Sequence, residues 1–297
     1  MAKLLVTGAS GFLGGYVCRL AQTDWQVWGT YYQQRPQLPD SSLHALDLAD
    51  SNAIAALFQS VQPDAVIHTA AQSKPNFCQL HPAATYPINV TASLQLAQLC
   101  AQAQIPYVFT STDLVFNGEA APYSESDQPT PLSYYGQQKA IAEAEILTVY
   151  PQATVCRLPL MYDRATPTAG CFLQGFIDQL QEAEPLALFT DEFRTPVRAE
   201  CAAKGLLLAL QTEGILHLGG RERLSRYRFG QLLVALLGLP ESRLTARLRS
   251  QVAMPAPRPH DVSLESNRAF ALGYDPQPVR SALAAILAEP AAAQPAE

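Results

Sequence analysis

Strand and helix patterns alternate through the first 160 residues of the chain. The β-rich run KLLVTG (3–8) leads directly into the helical pattern GFLGGYVCRLAQ (11–22). Short apolar runs such as WQVWGTYY (25–32) and DAVIHTAA (64–71) are likewise followed by longer helical patterns. Strands separated by helices of this length pair in parallel through right-handed crossovers. The sequence therefore predicts an α/β fold, with a doubly wound parallel sheet of the Rossmann type over residues 1–162.

The alternation becomes less regular after residue 162. Helical patterns at 171–185 and 226–239 are interspersed with short apolar runs at 186–190 and 214–220. We expect residues 163–287 to form mainly a smaller, substrate-binding lobe over the carboxyl edge of the sheet, and crossings back to the sheet are left open. The last ten residues, AEPAAAQPAE (288–297), are rich in Ala and Pro and are expected to be disordered.

Composition narrows the class of protein. The 297 residues are 48% hydrophobic and 15% charged, as in a globular chain with a sizeable core. A net charge of −6 argues against a nucleic-acid partner. The cysteines and histidines lack metal-ligand spacing, so no metal site is expected. No apolar run is long enough for a membrane span and no targeting leader is evident, so we expect a cytoplasmic protein without a membrane partner.

Three glycines follow the first strand in the spacing GxxGxxG. Gly8, Gly11 and Gly14 lie between a predicted strand and a predicted helix, and Phe12 and Leu13 complete the turn. Glycines at such a turn let the backbone approach a pyrophosphate, whose charge lies at the helix N-terminus. The motif predicts a dinucleotide-binding site, and an ordinary glycine-rich turn is the weaker alternative in this context.

The second strand carries information about the cofactor. NAD sites of this type place an acidic residue after that strand, on the ribose 2′-hydroxyl. The segment TYYQQRP (30–36) has no acid but contains Arg35, which suits a 2′-phosphate. We therefore favour NADP(H) over NAD(H), with a solvated loop charge as the alternative for Arg35.

Four further residues are assigned to the cofactor. Asp47 and Leu48 follow the predicted third strand, where a carboxylate can accept a hydrogen bond from an adenine amino group. A helix-capping role is the alternative for Asp47. Ala70 and Ala71 end the fourth strand, where small side chains let a cofactor lie against the sheet.

Candidate catalytic groups occur after the fifth strand. In YYGQQK (134–139), Tyr135 and Lys139 are spaced i,i+4, which places them on one face of a helix. A phenol has a pKa near ~10 and is a poor acid or base at neutral pH, but a neighbouring ammonium lowers that pKa. The lysine can also hold the nicotinamide ribose. Thr112 belongs to the hydroxyl cluster STD (111–113) that ends the strand PYVFTST (106–112).

These motifs together resemble the extended short-chain dehydrogenase/reductase family. The segments STDLVFNG (111–118), PYSESDQPTPLSYYGQQKAIAE (122–143) and RPHDVSLESNRAFALGY (258–274) are similar to its dTDP-4-dehydrorhamnose reductase branch. The resemblance implies a triad in which Thr112 polarises a substrate carbonyl, Tyr135 donates the proton and Lys139 supports Tyr135 and binds ribose. It also implies NAD(P)H-dependent reduction of the 4-keto group of a nucleotide-linked 6-deoxysugar.

The chain departs from that branch at two positions. Leu114 stands where the branch usually has a tyrosine, and Leu160 stands where an aromatic residue is expected. The segments RLPLMY (157–162) and EFRTPV (192–197) instead resemble the non-catalytic β-subunit of methionine adenosyltransferase. Arg194 and Arg258 are candidate ligands of a substrate diphosphate, because a guanidinium fork suits phosphate oxygens. A structural salt bridge is the alternative for both.

Three functions besides the reductase are alternatives. An NADP-binding regulatory subunit with weak or no turnover is one. A nucleotide-sugar 4,6-dehydratase is disfavoured, since that group places Asp-Glu after the threonine and this chain has Asp113 followed by Leu114. A nucleotide-sugar epimerase remains open, although the acid expected after the second strand is missing. The oligomeric state is also open, with a homodimer as one option.

Overall fold

The computed structural model describes residues 1–182 and 184–289. Its strands, in chain order, are β1 (Lys3–Thr7), β2 (Gln26–Tyr31), β3 (Ser42–Ala45), β4 (Ala65–His68), β5 (Tyr107–Thr112), β6 (Thr154–Leu158), β7 (Met161–Tyr162), β8 (Leu186–Phe189), β9 (Phe193–Arg194), β10 (Val197–Arg198), β11 (Gly214–His217), β12 (Leu224–Ser225) and β13 (Leu244–Arg247).

Most of the helices lie between these strands in the chain, and the last two follow β13. They are α1 (Phe12–Ala21), α2 (Ser51–Val61), α3 (Pro75–Leu80), α4 (Pro82–Tyr86), α5 (Ala92–Ala103), α6 (Tyr134–Val149), α7 (Phe172–Gln181), α8 (Ala199–Leu208), α9 (Arg226–Leu236), α10 (Asn267–Ala271) and α11 (Val279–Ala288), with a π-helical turn over Pro87–Thr91.

A seven-stranded sheet forms the centre of the molecule, in the order β11-β6-β5-β4-β1-β2-β3. All of its strand pairs are parallel. The predicted α/β fold with a doubly wound Rossmann sheet is therefore confirmed. Neighbouring side chains on β1 show how the sheet is held: Leu4 and Val6 pack towards α1 and α8, whereas Leu5 packs towards α2 and α5. This alternation buries apolar side chains on both faces.

The strands of the structure differ from the sequence pattern at two points. The apolar run ATVCRLPLMY (153–162) does not form one continuous strand, because it is broken at Pro159, which cannot donate a backbone hydrogen bond. Its first part is β6 of the main sheet, and its second part, β7, pairs with β10 outside that sheet. In addition, β11 returns to the main sheet beside β6. The crossing back that the sequence left open is thus made by residues 214–217.

The remaining C-terminal elements form a smaller unit over the carboxyl edge of the sheet. Three two-stranded sheets, β10-β7, β12-β9 and β13-β8, lie there. A separate hydrophobic cluster joins α7, α9 and α11. Because β11 belongs to the main sheet and α8 packs on α1, the division at residue 162 stays a proposal.

The end of the chain is ordered further than expected. Ala288 closes α11, and Glu289 forms an ion pair with Arg198 (Nη2–Oε1, 2.8 Å). The prediction of disorder was therefore wrong for residues 288–289, where the ion pair fixes the chain. Residues 290–297 lie outside the described residues. Over the described part of the chain, no helix has the length and apolarity to cross a membrane.

Candidate functional site

A cleft of about 860 Å³ opens at the carboxyl ends of the central strands. Its walls come from the loops that follow β1, β4, β5 and β6 and from the C-terminal lobe. In an open parallel sheet this edge is where ligands bind, because the loops and helix N-termini converge there. The cleft is therefore the candidate active site.

The glycine loop forms one end of the cleft. Gly8, Gly11, Phe12, Leu13 and Gly14 all line it. Gly8 has a φ of +75°, and a Cβ at this position would lie 2.8 Å from Cα of Ala70. The residue before α1, Gly11, provides no side-chain cap, which leaves the first N–H groups of the helix without a side-chain acceptor there. Such a helix N-terminus suits the negative charge of a pyrophosphate.

The predicted adenine end lies further along the same cleft. Asp47, Leu48, Ala70 and Ala71 line the wall. The Oδ1 atom of Asp47 accepts a hydrogen bond from the backbone N–H of Ala49 at 2.9 Å. The carboxylate is exposed and retains acceptor capacity.

Arg35 is the one predicted cofactor residue that does not line the cleft. Its side chain is exposed in the loop between β2 and β3. At the end of β2 the lining residues are Thr30, Tyr31 and Tyr32. None of these three is acidic, so this wall provides no carboxylate for a ribose 2′-hydroxyl.

Thr112, Tyr135 and Lys139 all line the cleft. Thr112 is the last residue of β5, and α6 begins beside it, with Ser133 Oγ accepting the N–H of Gly136 at 3.2 Å. A Cβ at position 136 would collide with the carbonyl of Leu114, so this glycine lets α6 approach the strand end. Local sequence thus places the phenol and the ammonium one helical turn apart on α6, in the same cleft as the threonine.

Burial controls the ionisation of both helix residues. Burial lowers the pKa of Lys139 to about 7, and the charge of Glu143 acts in the opposite direction. Its Nζ lies 3.9 Å from the ring centroid of Phe109. Burial raises the pKa of Tyr135 well above its ordinary value, Cys78 and Asp113 add to the rise, and Arg194 opposes it. The expected lowering of the Tyr135 pKa was wrong for this structure, because burial dominates. The phenol is therefore protonated at neutral pH, as a proton donor must be.

The threonine hydroxyl takes part in a buried network that the sequence did not predict. Thr112 Oγ1 accepts the N–H of Leu114 at 3.2 Å and donates to Asp113 Oδ1 at 3.3 Å. The same Oδ1 accepts from Arg194 Nη1 at 2.6 Å. The Thr112 bond is the longer of the two, so its hydroxyl can turn towards a substrate oxygen at a small cost. Burial raises the pKa of Asp113, and the charge of Arg194 opposes the rise.

The lobe contributes three arginines to the other end of the cleft. Arg194 and Arg258, both predicted as substrate ligands, line it together with Arg226, which the sequence analysis missed. All three surround Glu192, which is 1% exposed. The only sequence signal for Arg226 was its place directly after Ser225, the N-cap of α9.

The described side chains do not form a candidate metal site. Within residues 1–182 and 184–289, no group of three or more His, Cys, Asp or Glu side chains is placed to hold a metal ion. The chemical groups of the cleft include three phenols, the ammonium of Lys139, hydroxyls, two carboxylates and three guanidinium groups. This set can bind anions and transfer a proton to an oxygen.

Comparisons with known proteins agree with this geometry. The family model described as RmlD substrate binding domain matches residues 2–291. The probable low-salt glycan biosynthesis reductase Agl14 of Haloferax volcanii is 31% identical, covering 95% of this chain and 96% of that protein. Methionine adenosyltransferase 2 subunit beta of Danio rerio is also 31% identical, covering 91% of this chain and 85% of that protein.

A solved structure has the same fold over most of its length. The hypothetical dTDP-4-dehydrorhamnose reductase from Sulfolobus tokodaii is 28% identical, with a TM-score of 0.80, covering 91% of this chain and 94% of that chain. The reductase resemblance inferred from STDLVFNG and YYGQQK is confirmed by the family match. The chain belongs to the RmlD substrate binding domain family, within the extended short-chain dehydrogenases/reductases, which are NAD(P)-dependent oxidoreductases.

Proposed function

We propose that this protein is an NADPH-dependent reductase of the 4-keto group of a nucleotide-linked deoxysugar. The observation that carries the proposal is that Thr112, Tyr135 and Lys139 line the same cleft as the glycine loop. Membership of the RmlD family supports it. The intact set of hydroxyl, phenol and ammonium favours turnover over simple binding.

The roles of the three residues follow from their surroundings. Bound NADPH supplies the hydride that reduces the carbonyl carbon. Tyr135, protonated at neutral pH, gives its proton to the substrate oxygen, and the Thr112 hydroxyl stabilises the negative charge that develops on that oxygen. Lys139 lies one turn from Tyr135 on α6, where its amino group can hold the nicotinamide ribose.

The wall of the cleft after β2 favours NADPH over NADH. Thr30, Tyr31 and Tyr32 offer no carboxylate to a ribose 2′-hydroxyl. Arg35 is exposed in the next loop and is the cation proposed to reach a 2′-phosphate. Loss of NADPH affinity without loss of NADH affinity in Arg35→Gln would support this assignment. Equal NADPH affinities in wild type and variant would show that Arg35 does not bind the cofactor. The absence of an acidic residue after β2 would then be the remaining reason for a preference for NADPH.

A regulatory role is the second candidate. It is favoured by the 31% identity to methionine adenosyltransferase 2 subunit beta and by the segments RLPLMY and EFRTPV. Leu114 and Leu160, the two departures from the reductase pattern, both line the cleft. A subunit of this kind would bind NADPH and a partner protein without consuming the cofactor.

The test is an assay of NADPH oxidation. Purified protein, NADPH and dTDP-4-keto-6-deoxy-mannose are mixed, and the reduced-nicotinamide absorbance is followed, with NADH and Tyr135→Phe in parallel. The proposal expects loss of absorbance that is faster with NADPH and is lost in the variant. NADPH binding with no turnover on this and related keto sugars would favour the regulatory role.

A further inference from the structure

Lys139 has no opposite charge bound to it, although a carboxylate lies one helical turn away. Lys139 and Glu143 are spaced i,i+4 on α6, a spacing at which lysine and glutamate side chains can pair on a helix. The two residues are only 1% and 3% exposed. Within residues 1–182 and 184–289, Lys139 nevertheless forms no ion pair, and its Nζ lies over the ring of Phe109. The ammonium is therefore buried without a counter-ion.

Glu143 is bound instead by Arg157 of β6. Nη2 of Arg157 donates to Oε2 of Glu143 at 2.8 Å, and Nε lies 3.1 Å from Oε2 and 3.2 Å from Oε1. Arg157 is itself 1% exposed. Paired hydrogen bonds from one guanidinium fix the carboxylate in orientation as well as in position. Because its charge is balanced by Arg157, Glu143 attracts Lys139 less than a lone carboxylate would.

Arg157 is held in place by two further groups. Its Nη1 lies 3.4 Å from Nε2 of His217, and its guanidinium carbon lies 5.0 Å from the ring centroid of Phe116. Burial lowers the pKa of His217 to about 3, and the charge of Arg157 adds to this effect. The neutral His217 ring can accept a hydrogen bond from Arg157, because its Nδ1 faces the carbonyl of Glu265 at 3.1 Å. Arg157 is thus fixed towards Glu143 without a second negative charge from His217.

The strand side of Lys139 supplies no charge to replace Glu143. His68 of β4 stacks on Phe109, with 5.8 Å between the ring centroids. Burial lowers the pKa of His68 to about 3, and the charge of Lys139 adds to this effect, so the ring is neutral. If Glu143 were released from Arg157, Lys139 would be the cation within one helical turn of it.

We propose that Arg157 is a positioning residue of the site: by binding Glu143 it keeps this carboxylate from pairing with Lys139 and leaves the Lys139 ammonium available to the cofactor. The part that concerns the cofactor rests on the proposed function, in which Lys139 holds the nicotinamide ribose. The part that concerns the three side chains does not depend on turnover.

The test is a cycle of variants of the full chain, read as the urea midpoint of unfolding at pH 6. In the wild-type background Lys139→Met should raise the midpoint, because it removes a buried ammonium that has no counter-ion. In the Arg157→Met background it should lower the midpoint, because Lys139 is then the only neighbouring cation left for Glu143. In the Arg157→Lys background, where a cation beside Glu143 is kept, Lys139→Met should raise the midpoint again.

The matched control for the cycle is Arg221→Met. Arg221 also forms an ion pair, with Asp275 at 2.5 Å, but its side chain is 43% exposed. Loss of this exposed pair should leave the effect of Lys139→Met as it is in wild type, because the two sites share no partner.

NADPH affinity, measured by fluorescence titration, is the second readout. Arg157→Met should weaken NADPH binding at least about ten-fold, because Glu143 then occupies the Lys139 ammonium. Adding Glu143→Gln to Arg157→Met should restore the affinity to within a few-fold of wild type, because it removes the competing carboxylate. A purely structural role of Arg157 would not be repaired by removing its partner.

Two outcomes would overturn the proposal. One is that Lys139→Met raises the midpoint in the Arg157→Met background as it does in wild type. The other is that Arg157→Met fails to fold while Arg157→Met with Glu143→Gln folds, because Lys139 would then not have taken up the freed carboxylate. If the midpoint shift reverses as expected but Lys139→Met leaves NADPH affinity unchanged, the role of Arg157 towards Lys139 stands and the proposed cofactor role of Lys139 fails.

Discussion

Arg194 Nη1 lies 2.6 Å from Oδ1 of Asp113, and both side chains are buried. Arg194 belongs to β9 of the lobe, whereas Asp113 directly follows β5 of the central sheet. The pair therefore fastens the lobe to the sheet at the residue next to Thr112. The Asp113 carboxylate therefore links the attachment of the lobe to the orientation of the Thr112 hydroxyl.

Breaking this pair should cost stability. Arg194→Gln leaves the Asp113 carboxylate buried without its cation, and removing one partner of a buried pair typically costs about 3–5 kcal/mol. We expect a loss of that size in the free energy of unfolding, measured by urea titration. The double variant Asp113→Asn with Arg194→Gln should lose less than Arg194→Gln alone, because no charge is left unpaired. A cost below about 1 kcal/mol for Arg194→Gln, the level of a surface pair, would contradict this account.

Removal of the phenol should abolish proton donation. Tyr135→Phe keeps the ring but not the hydroxyl, so we expect kcat to fall about 10²-fold or more, the range for loss of a general acid. Tyr134→Phe is the matched control, because Tyr134 is 43% exposed and precedes Tyr135 on the same helix. NADPH affinity should stay within a few-fold in both. Equal kcat values for the two variants would show that Tyr135 is not the donor.

The stability of the protein should depend on pH through Lys139. Burial lowers the pKa of this lysine to about 7 in the folded state, below its ordinary value of 10.5. Between these values the unfolded chain binds more protons, so this group's contribution to the free energy of unfolding rises with pH. Below pH ~7 the folded protein carries the full cost of a buried ammonium.

The comparison with Lys139→Met isolates this effect from the other titrating groups. The variant should be more stable than wild type near pH 6, and its advantage should shrink steadily as the pH is raised towards 10. Urea unfolding at a series of pH values measures the difference. An advantage that stays constant with pH would mean that the folded-state pKa of Lys139 is not lowered.

The glycine loop should be intolerant of a side chain. Gly8→Ala places a Cβ 2.8 Å from Cα of Ala70 at a φ of +75°, so the loop must shift away from the position in which we propose that it binds the cofactor. We expect NADPH affinity to fall at least about ten-fold, by fluorescence titration. Gly175→Ala in α7 is the control, since nothing lies within 4 Å of its added Cβ. Normal NADPH binding by Gly8→Ala would argue against the loop as the pyrophosphate site.

Most of the site residues predicted from the sequence came from local motifs. Gly8 with its neighbours and Tyr135 with Lys139 are each set by short-range spacing, so their patterns were visible in the sequence. They line one cleft because parallel strands bring their carboxyl ends to the same edge.

Contacts between distant segments were not predictable in the same way. Asp113 and Arg194 are 81 residues apart, and nothing in either segment identifies the other. Glu192 and its arginines come from three separate segments of the lobe, so only the folded arrangement shows that they meet. The pKa of Tyr135 was also misjudged, because it depends on burial and on the charges of Cys78, Asp113 and Arg194 rather than on the spacing to Lys139.

The most direct test of the central claim is the fate of the nicotinamide hydrogen. NADPH carrying deuterium at the transferred position of nicotinamide C4 is incubated with protein and dTDP-4-keto-6-deoxy-mannose, and the sugar product is examined by mass spectrometry and NMR. The reductase account predicts one deuterium on C4 of the product sugar, with none in the Tyr135→Phe reaction. An unreduced keto sugar, with labelled NADPH still bound to the wild-type protein, would contradict it.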